Sequence, residues 1–170
     1  ALPQSDAAAA LLDGTGETPT RVSNAGGPAM ARGDLLEMTA ESLDRCLAVN
    51  LRGTFFLAQE AARRMLQRRR ETYRSLIFVT SVSATMASPD RAEYCMSKAA
   101  AAMMVQNLAL RLAPEGIGVF ELRPGIIATP MTAGVRDRYD ARIAEGLVPA
   151  NRWGQPADIG GGVLPLVTGQ

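Results

Sequence analysis

The run Ser75-Leu-Ile-Phe-Val-Thr-Ser-Val-Ser-Ala-Thr-Met-Ala-Ser-Pro-Asp-Arg-Ala-Glu-Tyr-Cys-Met-Ser-Lys98 joins two kinds of structure and carries polar side chains between them. Residues 75–80 are short, apolar and β-branched, so they read as a buried strand with Ser81 at its end. Pro89-Asp90 punctuates the chain. Residues 91–113 then contain no Pro or Gly and are rich in Ala, Leu and Met, the composition of a long helix. Strand ends in α/β sheets are where ligands bind. Tyr94 and Lys98, four apart, share one face of the helix, close enough for their side-chain ends to share a ligand.

The chemistry of that pairing is electrostatic. A phenol titrating at about 10 exchanges protons poorly near neutrality. A neighbouring ammonium favours the phenolate, so Lys98 is expected to lower the Tyr94 pKa and make it a usable acid/base. Ser81 can donate a hydrogen bond to the oxygen whose charge changes. Together the three suit reduction of a carbonyl or oxidation of an alcohol; a solvated helical pair is the plain alternative for Tyr94 and Lys98 taken alone.

Composition narrows the chemistry. The 170 residues include no histidine. Ser-His-Asp and Cys-His nucleophile systems and His-based metal sites are therefore excluded, and no metal site is expected. Lys98 is the only lysine among 18 basic residues, and Tyr94 is one of only 3 tyrosines, so their spacing is harder to ascribe to chance. With 47% apolar and 21% charged residues the chain is globular and long enough for one domain; a formal net charge of +1 does not suggest a nucleic-acid partner. Cys46 and Cys95 lie far apart without C-x-x-C spacing, which points to a reducing compartment. No stretch is apolar enough to span a bilayer, and residues 7–12 are too short for a signal peptide. A cytoplasmic location without membrane partners is the simplest expectation.

Upstream, residues 7–12 read as a helical turn or two ending at Asp13-Gly14, and residues 14–19 as a loop. Gly14-Thr-Gly16 neither follows a strand nor opens a helix, so it is read as a turn and not a phosphate loop. Arg21-Val-Ser is extended and leads to Asn24-Ala25-Gly26, a turn with little bulk that either admits a flat ligand or is an ordinary loop. Helical spacing runs from a cap at Thr39 to residue 66. Within it, Asn50 precedes Gly53 by three and invites a kink whose freed backbone groups Asn50 or water would satisfy, unless Asn50 simply faces solvent. Arg63, Arg64 and residues 68–70 make a basic helix end, either solvated or a dock for an acidic carrier protein. Residues 119–123 read as another strand ending at Pro124-Gly125, and residues 136–142 as an amphipathic lid. Trp153-Gly-Gln-Pro156 reads as a turn and Asp158-Ile159 as a helix cap. Gly160-Gly-Gly162 and Pro165 make a long helix there doubtful.

Jointly, Asn24-Ala-Gly26, Asn50 with Gly53, Ser81 with Tyr94 and Lys98, and Pro124-Gly125 with Thr129 and Met131 resemble, in order and spacing, the short-chain dehydrogenase/reductases, most closely the 3-oxoacyl-[acyl-carrier-protein] reductase type. The resemblance spans residues 21–159. It implies a Rossmann-like, doubly wound parallel α/β sheet and hydride transfer between NAD or NADP and a carbonyl, free or carrier-bound. It implies Tyr94 as acid/base, Lys98 holding the nicotinamide ribose, Ser81 orienting the substrate oxygen and Asn50 supporting a relay water. Asn24, Ala25 and Gly26 would line the cofactor, with Pro124, Gly125, Ile127 and Thr129 around the nicotinamide amide. Residues 130–153 would form the substrate loop of a single partial domain, residues 1–170. A homodimer or homotetramer is implied, packed through the long helices, with Ala99–Ala102, Met103, Met104 and Leu108 at the interface or, alternatively, on the sheet.

Some family features are missing from this sequence. The opening strand, its glycine-rich T-G-x-x-x-G-x-G loop, the residue that chooses between NAD and NADP, and the last strand are not found. Ser23 replaces the frequent Asn before Asn-Ala-Gly. The abrupt ends and the junction near residue 20 fit ordered parts of a longer chain better than a truncated product. This chain by itself is expected to hold no cofactor, because the pyrophosphate cradle is missing or not included. A non-catalytic remnant that serves only self-association is the alternative reading.

Overall fold

The computed structural model describes residues 4–14, 19–67 and 72–170. Most of the loop expected at 14–19 and the basic run at 68–70 lie outside the described residues. Three strands form one parallel sheet in the order β1-β2-β3: β1 (Thr20–Ser23), β2 (Arg74–Val79) and β3 (Ile117–Leu122). The register pairs Thr20 with Ser75 and Arg74 with Ile117. The central strand β2 is closed on both faces, with Leu76, Ile77 and Phe78 all buried, as its unbroken apolar run requires.

Helices supply the covering layers. Before β1 lies α1 (Gln4–Asp13); between β1 and β2 run α2 (Ala40–Leu47) and α3 (Thr54–Leu66); between β2 and β3 runs α4 (Ala92–Leu112). Thr39 caps α2, its side chain accepting from the Ser42 amide at 3.2 Å. In α3 the buried Ala58, Ala61, Ala62 and Met65 follow helical spacing and meet Leu12 of α1, Leu76 and Phe78 of β2, and Met104, Val105 and Leu112 of α4 in one core. Arg74 enters this core beside the helix ends and uses its charge on their carbonyls, donating to Met65 O at 2.6 Å and to Glu115 O at 2.7 Å.

The irregularity expected at Asn50 is a π-helical turn, Ala48–Gly53, joining α2 to α3. Neither detail of the expectation holds. Asn50 is 3% exposed rather than solvent-facing, and its amide serves a distant loop instead of its own helix. Residues 136–142 fall in α5 (Arg136–Ala144), preceded by a 3₁₀ segment Pro130–Val135.

The doubtful segment near the C-terminus is a helix, α6 (Pro156–Thr168), which corrects the sequence reading. Glycine and proline weights describe an isolated helix, whereas this one is held at both ends. Gln155 is the N-cap and Asp158 its reciprocal partner, and Gly169 ends the helix in the left-handed region at φ 77°. In its last turn the Leu166 carbonyl accepts two hydroxyls from outside the helix, Ser75 Oγ of β2 at 3.0 Å and Tyr73 Oη just before β2 at 3.2 Å. Among the described residues, no helix is long and apolar enough to cross a membrane, and no group of three or more potential ligands could hold a metal.

Candidate active site

Because the strands are parallel, their C-terminal ends share one edge of the sheet, and the segments leaving them face a common cavity of about 590 Å³. From β1 come Asn24 and Gly26; from β2, Thr80 and Ser81; from β3, Pro124, Gly125, Ile127 and Thr129; and from α4, Tyr94 and Lys98. Backbone bonds tie two of these exits together, Thr80 N to Leu122 O at 2.9 Å and Val82 N to Pro124 O at 3.0 Å. An isolated bridge between Ile127 and Gly154 anchors the third side.

Ser81 caps the 3₁₀ turn that follows it, accepting from Ser83 N at 3.1 Å. Lys98 is 7% exposed, donates to Val79 O at 3.2 Å, and lies 5.7 Å from the Tyr94 ring centroid. Among the described residues Val79 O takes one of its three ammonium donors, and two remain for a ligand. Burial pushes the Lys98 pKa down.

The Tyr94 phenol departs from expectation. Burial pushes its pKa up, and the opposing pulls come from the Ser81 hydroxyl and the Arg91 guanidinium rather than from Lys98. The reason is desolvation, which disfavours the phenolate and exceeds those attractions.

Two expected site residues do not line the cavity. Ala25 is exposed to solvent, and Asn50 lies behind the 24–27 turn. Asn50 Oδ1 accepts from Gly27 N at 2.8 Å, while Nδ2 donates to Gly27 O at 3.0 Å and to Ser97 Oγ at 2.9 Å. An amide nitrogen has two donors, so these bonds use up its capacity and the Cys46 Sγ at 3.3 Å is a flanking contact. A Cβ on Gly26 would stand 3.3 Å from Asn50 Oδ1 and 3.4 Å from Lys98 Nζ, so the turn presses close to both. Chain bulk is minimal where the ammonium emerges. The residues thus fit the nicotinamide-ribose end of a dinucleotide, with a flat approach at Gly26 and free donors on Lys98.

Sequence reasoning missed Arg32, Arg91 and Tyr139, all of which line the cavity. Arg91 had a signal, since it stands three residues before Tyr94 at the start of the expected helix; it is the N-cap of α4, with its guanidinium carbon 5.3 Å from the Tyr94 ring centroid. Arg32 had none, because its place depends on an ion pair with Asp90 at 2.8 Å, 58 residues away.

A family model described as enoyl-(acyl carrier protein) reductase matches residues 5–170. The 3-oxoacyl-[acyl-carrier-protein] reductase FabG of Rickettsia bellii is 33% identical over 135 residues, covering 79% of this chain and 54% of the relative. The 3-oxoacyl-[acyl-carrier-protein] reductase MabA of Mycobacterium tuberculosis is 34% identical over 162 residues, covering 94% of this chain and 62% of the relative. A crystal structure of a 3-oxoacyl-[acyl-carrier protein] reductase from Brucella melitensis in complex with NAD superimposes with a TM-score of 0.92 at 47% identity, over 98% of this chain and 66% of that one. The chain therefore spans between about half and two thirds of the length of these relatives. With the fold, the site spacing and these matches in agreement, the chain belongs to the short-chain dehydrogenase/reductase family.

Proposed function

We propose that the protein is an NAD(P)-dependent oxidoreductase that moves a hydride between a nicotinamide and a carbonyl or alcohol, acting on 3-oxoacyl groups free or carried on an acyl carrier. The observation that carries this reading is the convergence of Ser81, Tyr94 and Lys98 on one cavity beside the close turn at Gly26. The nicotinamide, when bound, supplies or accepts the hydride. Tyr94 gives its phenolic proton to the substrate oxygen in reduction and recovers it in oxidation. Ser81 donates to the same oxygen and fixes its position. Lys98 holds the ribose through the two donors left after Val79. Asn50 acts as a positioning residue, because both ends of its amide hold Gly27 and thereby set the turn against Lys98. Asn24, Gly26, Pro124, Gly125, Ile127 and Thr129 wall the nicotinamide; Pro130–Val135 and α5 form the substrate side. The exposed stripe on α4 described below supports a homodimer or homotetramer.

The test uses the full-length protein with NADH or NADPH and acetoacetyl thioester, followed by nicotinamide absorbance. Turnover is expected, and Tyr94→Phe should abolish it with cofactor affinity nearly unchanged, since the substitution removes a transferable proton and little binding. Equal rates for parent and Tyr94→Phe would refute the assignment.

A further inference from the structure

Among the described residues, three cations line the cavity, Arg32, Arg91 and Lys98, and no aspartate or glutamate does. Two of the three have employment. Arg32 pairs with Asp90, and Lys98 is turned to Val79 O beside Gly26. Arg91 differs. Among the described residues it has no ion-pair partner, because the adjacent Asp90 is turned to Ser88, Arg32 and Arg138. Its Nε is buried without an acceptor, and its guanidinium lies against the Tyr94 ring. A guanidinium cannot shed its proton, so a site that strips part of its water and offers no counter-ion leaves it to take an anion from elsewhere. The planar fork matches a carboxylate bidentately.

The proton transfer described above does not require this cation. Ser81, Tyr94 and Lys98 cover the reacting oxygen and the ribose. What Arg91 adds is a positive charge on the cavity wall, 5.3 Å from the centre of the Tyr94 ring. We propose that Arg91 is a specificity-determining residue that receives a substrate carboxylate, so that the preferred substrates are short oxo acids or hydroxy acids whose carboxylate stands one or two carbons from the reacting carbon. This rests on the hydride-transfer reading for the reaction, though not for the anion site itself. The same charge pulls the Tyr94 pKa downward, though burial outweighs it. A carrier-bound acyl group, whose thioester is neutral, would be turned over through the same Ser81 and Tyr94 but without this contact, and so less efficiently than a free oxo acid.

Binding and turnover are tested separately. In titration calorimetry, with and without NAD⁺ or NADP⁺, 3-hydroxybutyrate should bind the parent more tightly than 3-hydroxybutanamide, on the order of 10-fold or more. Arg91→Gln should erase that preference and Arg91→Lys should restore part of it. In kinetics, the ratio of kcat/KM for acetoacetate to that for ethyl acetoacetate should fall on the order of 10²-fold in Arg91→Gln. A parent without carboxylate preference, or a preference that survives Arg91→Gln, overturns the proposal. So does a variant whose loss falls on NADH or NADPH affinity instead, since the anion would then be a cofactor phosphate. Absence of hydride transfer to either substrate would sink the oxidoreductase reading while the calorimetry still decided the anion site.

Discussion

Space around Lys98 Nζ is limited by the Val79 carbonyl at 3.2 Å and by the backbone of Gly26, where even a Cβ would come within 3.4 Å. A guanidinium keeps the charge but is broader and flat, so it cannot keep the Val79 bond and leave the turn in place. Lys98→Arg is therefore expected to lose activity on the order of 10²-fold or more, through misplacement of cofactor and acid/base, with the fold intact by circular dichroism. A variant turning over at close to the parent rate would make the ribose-holding role wrong. At this scale the sequence was legible where spacing alone encodes geometry: Ser81, Tyr94 and Lys98 reach one cavity because a strand end and one helix face must bring them there. It was illegible where the quantity is tertiary. Burial decides the direction of the Tyr94 pKa, and no offset along the chain reports burial. Asn50 is similar, since its partner Gly27 is 23 residues away and comes near only after the sheet has formed.

Between elements, Asp90 works as a clasp. Its carboxylate takes Arg32 at 2.8 Å from the loop after β1 and Arg138 at 3.3 Å from α5, while its backbone oxygen accepts from Gly33 N at 3.1 Å. The Ser88 hydroxyl, with the two guanidiniums, lowers the Asp90 pKa from 3.8 to about 2. A carboxyl whose folded pKa lies below its unfolded one stabilises the fold fully above the unfolded value and loses that contribution as pH falls towards the folded one. Stability should thus decline between pH 3.8 and about 2, by on the order of 1 kcal/mol for this group once solvent screening of a partly exposed carboxylate is allowed for. Urea midpoints across that window should fall more steeply for the parent than for Asp90→Asn; parallel curves would show that the clasp carries no free energy. The elements themselves were read to within a residue or two where composition and position agree, as in α4 and β2. The failure at α6 has a physical cause. Besides its caps it is held by donors on Tyr73 and Ser75, more than 90 residues away, which local propensity cannot register.

On the molecule as a whole, α4 has two faces with different fates. Ala101, Ala102 and Met104 are buried, so half of the alanine run packs inward while Ala99 stays exposed, and Met96, Met103 and Leu110 are 46%, 55% and 79% exposed. Their spacing of seven residues lines them up along one side of the helix, an apolar stripe of the kind that a second copy covers. Light scattering of the full-length protein at micromolar concentration should find an oligomer, and Met103→Glu with Leu110→Glu should reduce its mass to that of the monomer. An oligomer indifferent to both changes would place the interface elsewhere. The parallel sheet has one more consequence, for the order in which the molecule comes together. A parallel pair cannot be closed by a hairpin, and Thr20 meets Ser75 across 55 residues of chain, with α2, the π-helical turn and α3 between them. Such closures exact their entropy before any pairing repays it, so β1 is expected to dock late and the sheet to form slowly. The cavity sits at the strand ends that only this last docking aligns. A folding chain would therefore acquire its core before it acquires a place to bind anything, and recovery of ligand binding in refolding should lag recovery of helix signal.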